Sequence, residues 1–108
     1  MKVLRFFEPL PEMILAGKKD TTWRYQDDKM LKEGDILSLV DRARQEFAKA
    51  RVLWTRDTTF EHLRPEDTAG HEPFSSVEQM LEIYSGYYNV KVTLQTPIKV
   101  VKFALITT

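Results

Sequence analysis

The chain contains no cysteine, which excludes a disulfide framework and a thiolate zinc site and leaves only histidine, aspartate and glutamate for metal chemistry. Long apolar runs are missing too. No stretch approaches the eighteen apolar residues of a membrane span, and Met1 to Glu8 lacks the extended apolar core of a signal peptide. The expected setting is therefore cytoplasmic, with no membrane partner. Internal repeats, low-complexity tracts and linkers rich in Gly, Pro or Ser are absent, so residues 1–108 are expected to form one domain. Net charge is absent as well: sixteen Lys and Arg balance sixteen Asp and Glu. No global field would draw the protein onto a long polyanion.

What the chain does contain is 43% apolar and 30% charged residues, the make-up of an ordinary globule. Its charge is unevenly laid out. Residues 1–56 hold twelve basic against nine acidic residues, and residues 57–82 hold seven acids against Arg64 alone. If the basic segments fold side by side, one face becomes locally positive and suits a few phosphates or a single nucleotide; a salt-laced surface without a partner fits the same pattern.

Strand and helix signals alternate. Val3 to Phe7 is short, apolar and aromatic and is closed by Pro9 and Pro11, which predicts a first strand. Leu10, Met13, Ile14 and Gly17 follow helical spacing, with proline near the start, Glu12 in the first turn and glycine at the end. Lys32-Glu-Gly-Asp35 is a turn into a buried strand, Ile36 to Val40, and Glu46 to Asp57 is the returning arm of a hairpin across Asp41 to Gln45. Ser75-Ser-Val-Glu78 has capping-box spacing ahead of a core stripe of Val77, Met80, Leu81 and Tyr84 that ends before Gly86. Ile98 to Ile106 is apolar on both parities, as expected of a strand buried centrally or paired with the first. The predicted class is α+β: a small mixed or antiparallel β-barrel with two or three short helices.

Within this pattern Ile14 to Arg24 stands out. A short helix turns through Gly17 into a strand in which Thr22 and Arg24 share one face and Thr21 and Trp23 the other. Lys18 and Lys19 sit at the helix exit. A hydroxyl, an ammonium and a guanidinium so grouped suit an anionic or carbonyl-bearing ligand. Trp23 should pack inward if Thr22 and Arg24 line a cleft.

Gly17-Lys-Lys-Asp-Thr-Thr-Trp-Arg24, Lys32-Glu-Gly-Asp35 and Thr96-Pro-Ile-Lys-Val-Val-Lys-Phe103, in this order, resemble the ASCH domain of the PUA-like β-barrel superfamily. The resemblance spans nearly the whole chain. It implies a barrel with a cleft beside the first helix and a role in binding RNA or a modified nucleoside or nucleotide. Some bacterial members are amidohydrolases that remove the acetyl group of N4-acetylcytidine. By the same resemblance the working lysine falls on Lys19, the threonine on Thr22, the motif arginine on Arg24 and the glutamate on Glu72, in Gly70-His-Glu-Pro-Phe74. The segment Tyr84 to Thr96 is longer than in hydrolytic members.

Amide hydrolysis requires a nucleophile, a proton acceptor and donors aimed at the oxyanion. Thr22 would supply the hydroxyl. Lys19 would serve as base if burial or a neighbouring cation lowers its pKa, and Glu72 would relay protons or activate water. Lys18, Arg24 and His71 are candidate ligand contacts, and Tyr87 and Tyr88, in a loop after Gly86, would cover a ligand or shield the barrel end. The spacing of His62 and His71 among acids matches no compact ligand set, and neither metal nor cofactor is expected. Three readings result: a module binding RNA or a modified nucleoside, an amidohydrolase acting on N4-acylated cytidine, and a non-catalytic scaffold for another protein. A monomer or weak dimer suits each.

Overall fold

The computed structural model describes residues 1–106. Within these residues five strands form one curled mixed sheet, a half-barrel accompanied by three helices. The strands are β1 (Lys2–Arg5), β2 (Thr21–Arg24), β3 (Ile36–Val40), β4 (Glu46–Thr59) and β5 (Pro97–Leu105), in the order β1-β3-β4-β5-β2. Among the described residues only β1 and β3 pair in parallel; the remaining neighbours are antiparallel. The predicted hairpin is present, with the Asp41 amide donating to the Gln45 carbonyl across its turn. β1 and β2 are the two edges of the sheet, so the curl remains open as a seam between them.

β5 does not pair with the first strand but lies between β4 and β2, which explains its continuous apolar run. Its side chains alternate between two cores. Val101 and Phe103 join Leu4, Phe6, Ile14, Leu37, Leu39 and Val52 on one side. Ile98 and Val100 join Trp23, Phe60, Met80, Tyr84 and Val92 on the other. The first cluster is packed by α1 (Leu10–Leu15) through Ile14, the second by α3 (Val77–Tyr88) through Met80 and Tyr84. A four-residue helix, α2 (Pro65–Thr68), lies between β4 and α3 in sequence.

α3 differs from expectation at both ends. Its N-cap is Ser76, whose hydroxyl accepts from the Gln79 amide at 3.0 Å, while the Gln79 side chain accepts from the Ser75 amide at 2.6 Å. The cap is thus Ser76 with Gln79 as its partner, one residue later than the predicted Ser75-x-x-Glu78, and the Gln79 side chain reaches back past the cap to the Ser75 amide instead of closing a reciprocal box. Val77 is exposed as a result, and Leu81 is only partly buried. The helix also continues through Gly86 to Tyr88 and stops at Asn89, which takes the left-handed conformation at φ 53°. Tyr87 and Tyr88 are therefore helical, not loop residues. Among the described residues no helix is long and apolar enough to cross a membrane.

Candidate functional site

Gly17 initiates the site. With φ of +77° it adopts a backbone conformation unfavourable to side-chain-bearing residues and turns the chain out of α1, where the Lys18 amide donates to the Met13 carbonyl at 2.8 Å. Lys18 stays exposed and lies away from the cavity described below. Lys19 turns in and is 2% exposed, among the most completely buried side chains of the protein. Its ammonium donates to the Thr21 carbonyl at 2.7 Å and to Glu72 Oε1 at 2.5 Å.

Glu72 reaches this point because the 70–72 loop is tied to the start of β2. The Gly70 carbonyl accepts from the Asp20 and Thr21 amides at 2.9 and 3.2 Å, and Thr21 Oγ1 donates to the Ala69 carbonyl at 3.0 Å. Gly70 has φ of +76°, and a methyl group there would overlap the Asp20 carboxylate. Behind the loop, the fully buried Asp67 ion-pairs with Arg56 and accepts from the Arg64 amide at 2.8 Å. The Asp67 carbonyl in turn accepts from Trp23 Nε1 at 2.9 Å.

A cavity of about 170 Å³ opens in the seam between the two edge strands. Lys19, Thr22 and Arg24 line it from the β2 side, Glu72 from the 70–72 loop, and Tyr84, Tyr87 and Tyr88 from α3. Arg5, Phe6 and Phe7, from the end of β1, complete the opposite wall with Leu10. Thr22 is 5% exposed yet borders this space. Trp23 is 3% exposed and packs in the second core, as the alternation of β2 requires.

His71 lies behind the cavity rather than in it. Its ring stacks on Trp23 at 3.7 Å between centroids, and Nδ1 donates to the Glu72 carbonyl at 2.9 Å. With the proton on Nδ1, Nε2 accepts from the Tyr84 hydroxyl at 3.0 Å. His71 therefore steadies the loop that carries Glu72. His62, in a 3-10 turn at Phe60–His62, is exposed.

Electrostatics reinforce the grouping. Burial lowers the Lys19 pKa from the usual lysine range; attraction to Glu72 opposes this and the Arg24 charge adds to it. Burial alone would raise Glu72, but the charges of Lys19 and His71 and the hydrogen bond from Lys19 outweigh it and leave the carboxyl below its ordinary value. Burial moves His71 down to about 4, with the Lys19 charge acting in the same direction. The Arg24 guanidinium lies 4.9 Å from the Phe6 ring centroid, and its buried Nε has no hydrogen-bond partner among the described residues. No group of three or more metal-ligating side chains occurs among the described residues.

The sequence reading did not single out Arg5, Phe6, Phe7 or Tyr84 as site residues. Phe6 and Tyr84 belong to the cores and are only 3% and 4% exposed, though both line the cavity. The aromatic end of the first strand, just before Pro9, was the available signal for the β1 wall.

Scans against protein-family models and curated proteins find no match. Solved structures do share the fold. Hypothetical protein PH0355 is 24% identical, with a TM-score of 0.75 covering 98% of this chain and 100% of that one. Protein EF3133 from Enterococcus faecalis, described with the family model DUF984, has a TM-score of 0.75 at 12% identity over 90% of this chain and 69% of its own. An ASCH domain from Lactobacillus crispatus has a TM-score of 0.68 at 11% identity, covering 88% and 69%. The chain has an ASCH-type fold.

Proposed function

We propose that the seam cavity binds one modified pyrimidine nucleoside and that the protein is an amidohydrolase removing an acyl group from the exocyclic amine of cytidine. The observation that carries this reading is the buried Lys19–Glu72 pair beside Thr22 in the wall of a cavity of about 170 Å³. A cavity of this order holds one aromatic ring, since an engineered protein cavity of about 150 Å³ accepts benzene. A buried ion pair is a weak stabilising device, so its position against an open space favours a role toward a ligand. Tyr87 and Tyr88, the more accessible tyrosines of the lining, supply ring surfaces, and stacking on such surfaces contributes about 1–3 kcal/mol per base.

In this reading the Thr22 hydroxyl attacks the acyl carbonyl while its proton passes to the Glu72 carboxylate. The Lys19 ammonium donates to the developing oxyanion, the largest single contribution in many acyl-transfer sites. Glu72 returns the proton to the departing exocyclic amine, and water then hydrolyses the threonine ester, giving carboxylate and cytidine. Arg24 holds the ring carbonyl.

Release of acetate from N4-acetylcytidine by purified protein tests the proposal. Native protein should turn over, and Thr22→Ala and Glu72→Gln should each lose at least about a hundredfold in kcat. Tight binding with no turnover by native protein would leave a binding module; turnover retained by Thr22→Ala would remove its role as nucleophile. The absence of both binding and turnover would refute the proposal.

A further inference from the structure

A second, smaller cavity of about 100 Å³ lies along the same seam, lined by Leu4, Tyr25 and the Gln26–Lys29 turn. It shares Arg24 and Tyr88 with the first cavity, whereas Lys19, Thr22 and Glu72 border only the first. The reactive groups are thus confined to one compartment, and a guanidinium with an unpartnered buried Nε stands at the boundary. In a cytidine the exocyclic N4 lies across the ring from the glycosidic N1, and the O2 carbonyl sits beside that N1. A ring with N4 toward Lys19 and Glu72 would bring O2 to Arg24 and direct its sugar into the second cavity.

The lining of that cavity suits hydroxyl groups. Asp27 is already engaged: its carboxylate accepts from the Leu31 amide at 2.7 Å and the Lys29 amide at 3.2 Å, and pairs with Lys99 at 3.0 Å. Asp28 is exposed and makes no hydrogen bond or ion pair among the described residues. A carboxylate only accepts hydrogen bonds, so it recognises O–H donors and not phosphate oxygens. Carboxylates that read ribose 2′-hydroxyls are a recurrent solution in nucleotide-binding folds. Resting on the nucleoside reading above, we infer that the second cavity is a sugar subsite in which Asp28 accepts from the ribose 2′-hydroxyl, so that the protein selects ribonucleosides over 2′-deoxyribonucleosides.

The test compares N4-acetylcytidine, its 2′-deoxy counterpart and the free base N4-acetylcytosine. Native protein should favour the ribonucleoside over the deoxyribonucleoside by about tenfold or more in kcat/KM, the value of a hydrogen bond to a charged group. Asp28→Ala should bring the two nucleosides to the same kcat/KM, with an unchanged Tm to show that the variant is folded. Equal handling of the two by native protein, or a preference surviving in Asp28→Ala, would overturn the inference while turnover of the free base left the hydrolase reading standing. If none of the three is turned over, the hydrolase reading fails alone, and calorimetry with cytidine and 2′-deoxycytidine decides the subsite: a tenfold ribose preference supports it and equal affinity overturns it.

Discussion

Lys19 and Glu72 define the residue scale. Removing one member of a buried pair strands the other, so Lys19→Met should destabilise by about 3 kcal/mol, and adding Glu72→Leu should recover most of that loss without restoring turnover. Urea unfolding measures both. The pH profile separates two roles for Lys19. If its ammonium serves the oxyanion and Glu72 accepts the proton, kcat/KM should form a plateau. The acid limb should fall below pH 4.5, because Glu72 is lowered from 4.5, and the alkaline limb should begin below 10.5, because burial lowers Lys19. A rate that climbs through the alkaline range would instead make neutral Lys19 the base. His71 governs stability in acid. Its pKa of about 4 lies below the 6.5 of an unperturbed histidine, so the unfolded chain binds the extra proton first and stability falls as pH drops from 6.5 toward 4. The loss amounts to about 3 kcal/mol, and His71→Gln should flatten that slope in urea titrations at stepped pH.

At the scale of elements, the attachment of the 70–72 loop to β2 decides whether a glutamate fifty-three residues after Lys19 reaches it at all. Gly70→Ala should lower Tm and reduce kcat further than the loss of folded protein explains, because relieving the overlap with Asp20 moves the loop bearing Glu72. The β2 part of the site was legible in the sequence: strand alternation alone puts Thr22 and Arg24 opposite Trp23, and glycine followed by two lysines marks the turn into it. The loop part was reached only through the family resemblance, which assigned the glutamate to Glu72, and not from the local residue pattern. Nothing in Gly70-His-Glu-Pro-Phe74 announces that its first carbonyl accepts two amides from β2, since long-range backbone pairing leaves no local pattern. The end of α3 was misread for a related reason. Gly86 is a frequent stop signal, but aromatic packing of Tyr84 against Tyr87 and Tyr88 carries the helix past it to Asn89.

For the molecule as a whole, the order of strands matters more than their number. The apolar run of β5 foretold a buried strand, but its neighbours β4 and β2 depend on pairings distant in sequence, and so does the seam left between β1 and β2. Both cavities lie in that seam, which is why β1 residues join a site signalled from β2 and α3. Balanced charge has a consequence at this scale. Affinity for an uncharged nucleoside should be nearly constant from about 50 to 200 mM salt, whereas engagement of several phosphates of RNA would weaken steeply over that range, as calorimetry at stepped ionic strength would reveal. The central claim is that one ring enters the seam with its exocyclic amine toward Lys19, Thr22 and Glu72. A crystal structure of the protein with cytidine, the expected product, tests it most directly: N4 should lie within hydrogen-bonding distance of the Lys19–Glu72 pair, with O2 at Arg24. A ring bound outside the seam, or one with N4 pointing away from that pair, would contradict the account.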